Sequence, residues 1–408
     1  MNQQEVTKSQ PVSKRMVWEA YKKVKRNGGS AGIDKQSISM FDKELSKNLY
    51  KIWNRMSSGS YFPPPVRTVL IPKANGSKRA LGIPTVSDRI AQTVVKDYLE
   101  AQVDKAFSSQ SYGYRTGKSA HDAVSSAEAN CRKYGWIIDL DIKGFFDNLD
   151  QERMIQLLQL HTQEKWILLY VERWLKAGIE LGGAITARET GTPQGGVISP
   201  LLANIYLHHA FDTWIEESYK GNPFERYADD IIVHCSSKEE AGNMLEAIRE
   251  RLKEYNLALH PEKTKIVHCK DYRRNKEQED GVRFTFLGFD FKPRVIRSRR
   301  GGWFLGYGAA IGKSAQKKLI EVIKKSQLVR WTKATIESIA VEWNPRIRGW
   351  INYYGRFKRR ELYRVFDAFN MRLARWIGNK YKIMGKWACI KRLKQIKREN
   401  KSLFVHWS

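Results

Sequence analysis

The fold of this chain is decided by one stretch, Arg226-Tyr227-Ala228-Asp229-Asp230-Ile231-Ile232-Val233. Its two adjacent carboxylates lie where a strand-like run over 222–227 turns into an apolar run over 231–235. This pattern predicts a β-hairpin with both acids at its tip. Two like charges held together are costly unless a cation neutralises them, so the tip fits a divalent metal ion. An acidic turn on the surface would show the same residues.

A second acidic strand favours the metal-binding interpretation. From Trp136 to Ile142, apolar side chains alternate with Asp139 and Asp141, which is the period of a half-buried strand. Beside the hairpin, this strand would add a third carboxylate to the two at the tip. Carboxylate oxygens suit Mg²⁺, with Mn²⁺ as a substitute, and two such ions about 4 Å apart are the usual apparatus for in-line phosphoryl transfer. The sequence therefore predicts a site for two Mg²⁺ ions.

These motifs resemble those of reverse transcriptases. Asp141 is followed by Phe146, and then by the Tyr-Ala-Asp-Asp hairpin that ends at Asp230. The block between them resembles one branch, the group II intron-encoded reverse transcriptase/maturases: Gly191-Thr192-Pro193-Gln194-Gly195-Gly196-Val197-Ile198-Ser199-Pro200. The resemblance implies an α+β right-hand polymerase, in which fingers and a palm with an antiparallel sheet are followed by an α-helical thumb, also called the maturase domain or domain X.

The resemblance also implies a role for each site residue. Asp141 and Asp229 would hold both metal ions and Asp230 would assist, while Asp139 competes with Asp141 but has the less fitting spacing to Phe146. The residues expected to bind the nucleotide are Lys73, Arg79, Phe146, Gln194 and Lys263. Ile83 would pack against the templating base, and Arg115 would contact the template or the nucleotide.

Composition indicates an anionic partner. The 408-residue chain has a formal net charge of +29, which fits nucleic acid. It contains no apolar run long enough to span a membrane. The four cysteines are scattered, which favours neither a disulfide framework nor a zinc site. We therefore expect a reduced, cytoplasmic protein that associates with nucleic acid, and the resemblance implies a bacterial one.

The C-terminal part interleaves basic and aromatic residues. We expect it to bind RNA through Arg346, Arg348, Arg359 and Arg360, because phosphate contacts and base stacking use these residue types. A helical bundle with solvated basic faces would have a similar composition. The string over 348–354 resembles domain X. We expect no His/Cys-rich nuclease domain, because the chain resembles the endonuclease-lacking bacterial intron enzymes.

The predicted organisation has three parts. Residues 1–60 form an N-terminal extension of the fingers, residues 61–300 the fingers and palm, and residues 301–408 the helical thumb. Hydrophobic periodicity predicts helices over 12–26, 37–55, 199–219, 312–329 and 333–343. The chain from residue 309 onward is expected to be helical, and residues 271–281 are expected to form an exposed loop.

The predicted function follows from the resemblance. The chain would be an RNA-directed DNA polymerase that extends a DNA or RNA primer on an RNA template with deoxynucleoside triphosphates. As a maturase it would bind its structured intron RNA for splicing and, after reverse splicing into a DNA target, copy that RNA. One alternative is a related reverse transcriptase recruited to phage defence or to CRISPR adaptation. Another is a splicing factor that does not polymerise, which the intact acids argue against.

Overall fold

The computed structural model describes residues 10–72, 76, 78–272, 281–297 and 301–407. The chain divides into two compact units. The first unit comprises Met1–Ser119, Leu140–Val233 and Gly242–Thr264, and the second comprises Ala120–Asp139, His234–Ala241 and Lys265–Ser408. Within the described ranges, no helix combines the length and the apolar character that crossing a bilayer requires.

The helices are α1 (Lys14–Asn27), α2 (Ile38–Lys43), α3 (Leu45–Ser57), α4 (Val86–Val103), α5 (Ala120–Lys133), α6 (Phe145–Asn148), α7 (Gln151–Gln159), α8 (Lys165–Leu175), α9 (Ser199–Leu207), α10 (Thr213–Ser218), α11 (Lys238–Glu254), α12 (Lys313–Lys325), α13 (Ile336–Tyr354), α14 (Tyr363–Tyr381) and α15 (Lys386–Glu399). The strands are β1 (Val66–Pro72), β2 (Lys78–Ile83), β3 (Trp136–Asp141), β4 (Ile179–Leu181), β5 (Ala184–Thr186), β6 (Phe224–Tyr227), β7 (Asp230–Cys235), β8 (Lys265–His268), β9 (Phe284–Phe286), β10 (Phe289–Arg297) and β11 (Trp303–Ile311).

The first unit contains two sheet regions. One sheet has the strand order β2-β1-β4-β5, and in it β1 pairs antiparallel with β2 and parallel with β4. In the other, β6 and β7 form an antiparallel hairpin, and β7 is the neighbour of β3 in the strand order. Helix α4 is buried along most of its length, with Ile90, Val94 and Leu99 in the core.

The second unit combines antiparallel strands with a helical bundle. Residues Trp136–Asp139 of β3 pair antiparallel with β8, and β11, β10 and β9 form an antiparallel sheet in that order. Helices α12 to α15 enclose a core in which Trp343, Phe369 and Trp376 are fully buried. This architecture confirms the predicted α+β class, with antiparallel sheets followed by a helical C-terminal region.

Several boundaries predicted from the sequence are wrong. The helix predicted over 37–55 is divided at Glu44 into α2 and α3. The helix predicted over 199–219 has the expected ends, but it contains a π-helical turn, His208–Asp212, that the sequence did not predict. The chain is still a strand until Ile311, so the helical bundle begins later than residue 309. Asp271, predicted to be in an exposed loop, is buried. Residues 273–280 of that loop lie outside the described residues.

Helix α13 continues through Pro345, where the sequence predicted an end after Trp343. A proline inside a helix removes one backbone hydrogen bond, so this continuation needs compensation from tertiary contacts. The side chain of Asn344 provides one, because its amide donates to the carbonyl of Leu403 and its oxygen accepts from the amide of Val405. Burial of the flanking Trp343 and Ile347 holds the same segment in the core.

Candidate active site

The predicted acidic hairpin forms, and its turn is only two residues long. Tyr227 pairs with Asp230, so Ala228 and Asp229 form the turn and Asp230 begins β7. Ala228 has a φ of 57°, in the left-handed region that only a few residue types adopt without cost. The surroundings must therefore stabilise the turn.

A buried ion pair between Arg226 and Asp212 stabilises this turn. Arg226 is fully buried, and its guanidinium donates to both carboxylate oxygens of Asp212, at 2.7 and 2.6 Å. It also donates to the carbonyl of Ala228, at 3.2 Å, and to the side-chain oxygen of Asn204. Asp212 is presented by the π-helical turn, a rare element that often occurs near functional sites. The ion pair thus ties the acidic tip to the helix behind it.

The loop over residues 111–119, called the Gly-Tyr-Arg loop after Gly113, Tyr114 and Arg115, hydrogen-bonds to the hairpin strand β6. The amide of Tyr112 donates to the carbonyl of Arg226, and the amide of Arg226 donates to the carbonyl of Gln110. A Cβ atom on Gly113 would lie 2.5 Å from the amide nitrogen of Ala228, so only glycine allows this approach. The loop is therefore part of the scaffold of the acidic turn.

Arg115, predicted from the sequence to contact the template or the nucleotide, is held by bonds within the protein. Its side chain is only 6% exposed and forms an ion pair with Asp104. Its guanidinium also donates to the carbonyls of Asp104, Ser108 and Ser111. Because these bonds occupy the guanidinium, Arg115 fixes the shape of the Gly-Tyr-Arg loop.

The carboxylates of Asp141 and Asp229 interact electrostatically. Burial raises the pKa of the Asp229 carboxyl and the neighbouring Asp141 raises this pKa further, whereas Arg79 and Lys263 lower it. The ammonium of Lys263 lies 3.1 Å from each carboxylate oxygen of Asp141. The backbone holds this pair in place, because the carbonyl of Asp141 accepts a hydrogen bond from the amide of His260 at 2.7 Å.

Asp139, the competitor of Asp141, has a different partner. It pairs in register with Lys265 on β8, and the two side chains form an ion pair at 3.5 Å. Its side chain is 14% exposed, against 41% for Asp141. The more exposed Asp141 is therefore the carboxylate that a solvent-borne cation reaches.

Arg79 and Gln194 meet next to these acids. The Nε of Arg79 donates to the Oε1 of Gln194 at 2.5 Å, and the Nε2 of Gln194 lies 3.4 Å from both carboxylate oxygens of Asp147. The amide of Gly82 on the same strand donates to the backbone carbonyl of Gln194 at 2.7 Å. Ile83 follows Gly82 at the end of β2 and is half-buried. Lys73, predicted to bind the nucleotide, lies outside the described residues.

Phe146 lies on the short helix α6, directly after β3. It is half-buried, whereas Phe145 is fully buried and takes the core position. Its carbonyl accepts from the amide of Thr192 at 2.8 Å, and a Cβ atom on Gly191 would lie 2.5 Å from that carbonyl. The position of Phe146 is thus fixed by the block that also carries Gln194.

The glycine pair after Gln194 allows a close approach between two backbone segments of the protein. A Cβ atom on Gly195 would lie 2.3 Å from the carbonyl of Gly82, and Gly195 has a φ of 114°. Behind the pair, the side-chain oxygen of Gln92 accepts from the amides of Val197 and Ile198, while its Nε2 donates to Asp88. Burial raises the pKa of Asp88 to about 6. This network fixes the start of α9.

The acidic side chains of the site decide whether it can hold a metal ion. Among the described residues, no group of three or more Asp, Glu, His or Cys side chains is already arranged as a metal site. However, Asp141 already holds one cation, the ammonium of Lys263, and burial together with repulsion from Asp141 raises the pKa of Asp229. Carboxylate oxygens under mutual repulsion suit a hard divalent cation. Asp141, Asp229 and Asp230 therefore fit the predicted metal chemistry.

The four arginines predicted to bind RNA are exposed but do not share one face. Arg346 and Arg348 are two positions apart on the continuous helix α13 and so point about 200° apart. Arg346 donates to Glu342 at 3.0 Å. Arg359 and Arg360 begin a short 3₁₀ helix, Arg359–Leu362. Because the helix continues through Pro345, Arg346 and Arg348 lie on different sides of it.

Sequence reasoning missed several residues that position the site: Arg226, Asp212, Asn204, Gln92 and Asp147. Each acts through a partner distant in the sequence, so no local pattern marks it. The one available signal was Arg226, a charged residue inside a strand that otherwise reads as buried.

Two family models match the chain. The model described as reverse transcriptase (RNA-dependent DNA polymerase) matches residues 71–291, which is more than half of the chain. The model described as the group II intron maturase-specific domain matches residues 314–394. The two matches follow one another along the sequence without overlap.

Curated relatives agree with these matches. The group II intron-encoded protein LtrA of Lactococcus lactis subsp. cremoris is 34% identical over 57% of this chain and 38% of its own length. Protein YkfC of Escherichia coli is 30% identical over 66% of this chain and 76% of its own length. An uncharacterized 91 kDa protein in the cob intron of Schizosaccharomyces pombe is 27% identical over 90% of this chain and 54% of its own length. The chain thus spans about half, or less, of the length of some relatives.

Proposed function

The chain belongs to the group II intron-encoded reverse transcriptases, and on that premise we propose that it copies RNA into DNA. In the proposed reaction, a primer 3′-hydroxyl loses its proton and attacks the α-phosphate of a deoxynucleoside triphosphate on an RNA template, and the α–β phosphoanhydride bond breaks to release pyrophosphate. The observation that carries the proposal is the electrostatic interaction of Asp141 and Asp229 next to two cationic side chains, Lys263 and Arg79. Acids beside cations are what an incoming metal-bound triphosphate requires.

Reverse transcriptases depend on a divalent metal ion. In our proposal Asp141 and Asp229 hold two Mg²⁺ ions with help from Asp230, and Mn²⁺ can substitute. When bound, the ions lower the pKa of the attacking hydroxyl and stabilise the charge that develops on the phosphate. Lys263 then leaves Asp141 and turns to the triphosphate, which offers it a more strongly charged partner.

Arg79 and Gln194 form the proposed nucleotide contact on the other side. Arg79 presents a planar guanidinium that binds phosphate oxygens in pairs, and its present partner is the neutral amide of Gln194. A charged phosphate is a stronger acceptor than an amide oxygen, so the triphosphate can take over Arg79. Gln194, held near Asp147, is then free to contact the sugar. Lys73 completes this proposed set.

Phe146 and Ile83 would select the sugar and cover the base pair. A half-buried phenyl ring after the Asp141 strand can collide with a ribose 2′-hydroxyl, which would exclude ribonucleotides. Ile83, at the end of β2 next to the carbonyl of Gln194, would pack against the templating base. Both roles need an apolar side chain that is only partly covered, and both residues are half-buried.

The second proposed activity is that of a maturase. Residues 1–60 would extend the fingers, 61–300 would form fingers and palm, and 301–408 would form the thumb. Structured intron RNA would contact Arg346, Arg348, Arg359 and Arg360, all of which are exposed. After reverse splicing into a DNA target, the same protein would copy the RNA in the bacterial cytoplasm.

An Asp229→Ala variant separates the two activities. It should lose primer extension on an RNA template, because one metal-holding carboxylate is gone, but keep its affinity for structured RNA. A filter-binding titration and a primer-extension assay on the same preparation measure both. Substantial extension by Asp229→Ala would overturn the proposed site, and loss of extension together with RNA affinity would mean that the substitution damages the fold.

A further inference from the structure

Helix α15 turns one face to the core and another to solvent. Cys389 and Leu393 are buried in the helical core, and Ile390 and Ile396 pack against it. The opposite face carries Trp387, Lys391, Lys394 and Arg398, which are all exposed and recur three or four positions apart. At 1.5 Å per residue this stripe is about 17 Å long. The stripe is therefore basic, with an aromatic residue at its N-terminal end.

Trp387 is 79% exposed. An indole ring is costly to leave in water, and tryptophan in the core of this unit is fully buried, as Trp343 and Trp376 are. The ammonium of Lys386 lies 6.0 Å from the centre of the Trp387 ring. The ring is therefore an open aromatic surface beside a cation, which suits stacking with an unpaired base.

A small cavity lies at the other end of the stripe. It has a volume of about 270 Å³ and is lined by Lys394, Lys397, Arg398, Lys401 and Trp407. Four cations line it and no carboxylate does. In the described part of the chain, none of these four forms an ion pair with an acidic side chain. Cations gathered around a cavity repel one another, so an anion placed there gains from all of them.

We propose that α15 binds a single-stranded segment of RNA, with an unpaired base stacked on Trp387 and a backbone phosphate in the cavity next to Trp407. The stripe between them would follow the intervening phosphates. A single strand fits better than a duplex, because bases paired inside an RNA helix are not available to stack on a side chain. This inference rests on the proposed function, since it names the kind of RNA that the helical region takes.

Trp387→Ala tests the stacking contact. Because Trp387 is exposed, the midpoint of urea unfolding should not change. Affinity for a single-stranded oligoribonucleotide should fall between about 5-fold and about 150-fold, the range for loss of one stacked base. Affinity for a blunt duplex of the same length should change by less than about 2-fold, since such a duplex offers no unpaired base. Trp303→Ala is the matched control, because Trp303 is 67% exposed on β11.

A triple variant, Lys394→Gln, Lys397→Gln and Arg398→Gln, tests the phosphate contacts. Each lost contact to a single strand should lower the slope of log affinity against log salt by about 0.7. The control, Lys317→Gln, Lys318→Gln and Lys324→Gln on α12, removes the same charge from exposed positions and should leave the slope nearly unchanged.

Three outcomes would overturn the inference. The first is that Trp387→Ala binds the single strand with wild-type affinity. The second is that Trp387→Ala loses as much affinity for the duplex as for the single strand. The third is that Trp387→Ala changes the oligomeric state seen in sedimentation without changing the RNA affinity. The last result would make Trp387 a protein contact. The wild-type chain is assayed for RNA-templated DNA synthesis in the same series, so failure of the proposed function is seen separately as lack of synthesis by the wild type.

Discussion

Removing Asp212 should strongly destabilise the acidic hairpin. Asp212 and Arg226 are both 0% exposed, and the guanidinium makes two charge-assisted bonds to the carboxylate at 2.6 and 2.7 Å. Asp212→Ala would leave the buried guanidinium without its counter-ion, with only the neutral oxygens of Asn204 and Ala228 as acceptors. Breaking a buried pair from one side costs about 3–5 kcal/mol. We expect the free energy of unfolding of the first unit to fall by that amount.

Urea unfolding measures the fall in the free energy of unfolding, and hydrogen exchange of the β6 and β7 amides shows whether the hairpin is destabilised. Glu246→Ala is the matched control, because its pair with Arg249 has a similar length, 2.7 Å, but side chains that are 64% and 51% exposed. That control should lose no more than about 1 kcal/mol. If Asp212→Ala cannot be purified folded, the double variant Asp212→Leu, Arg226→Met should be recovered more readily, since it leaves no unpaired charge. Equal losses for Asp212→Ala and Glu246→Ala would refute the reasoning.

Two further predictions concern Asp88 and Phe146. Burial raises the pKa of Asp88 from 3.8 to about 6, so its contribution to stability is present below about pH 4 and is lost as the pH rises through 6; the difference is roughly 3 kcal/mol. Asp88→Asn should remove this pH dependence, measured by urea unfolding at several pH values, and an unchanged dependence would show that Asp88 is not its source. Phe146→Val should raise ribonucleotide incorporation relative to deoxynucleotide in single-turnover assays, and an unchanged ratio would make Phe146 a packing residue only.

The sequence predicted those parts of the site that depend on local patterns. Alternation over 136–142 marked β3, the paired acids marked a hairpin tip, and the order of the motifs identified the family correctly. These features need only a period of two, a turn and a spacing. The fold class followed from the same patterns and is confirmed. The roles of the individual site residues stay predictions.

The parts that the sequence did not predict depend on distant partners. Helix propensity cannot show that contacts of Asn344 and the buried Trp343 stabilise α13 on both sides of Pro345. It also cannot show that a π-helical turn places Asp212 within hydrogen-bonding distance of Arg226. Arg115 was expected to contact the template or the nucleotide because its loop resembles a block of the family. Its burial against Asp104 depends on how the loop folds back, which no local pattern records.

The central claim is that Asp141, and not its neighbour Asp139, is a metal-holding acid of an RNA-copying polymerase. RNA-templated primer extension by Asp141→Asn and Asp139→Asn, titrated with Mg²⁺, tests it most directly. Both substitutions remove one negative charge from the same strand, and each breaks one lysine contact. We predict that Asp141→Asn loses DNA synthesis at every Mg²⁺ concentration while Asp139→Asn keeps most of it. Wild-type synthesis by Asp141→Asn, or equal loss in both variants, would contradict the claim.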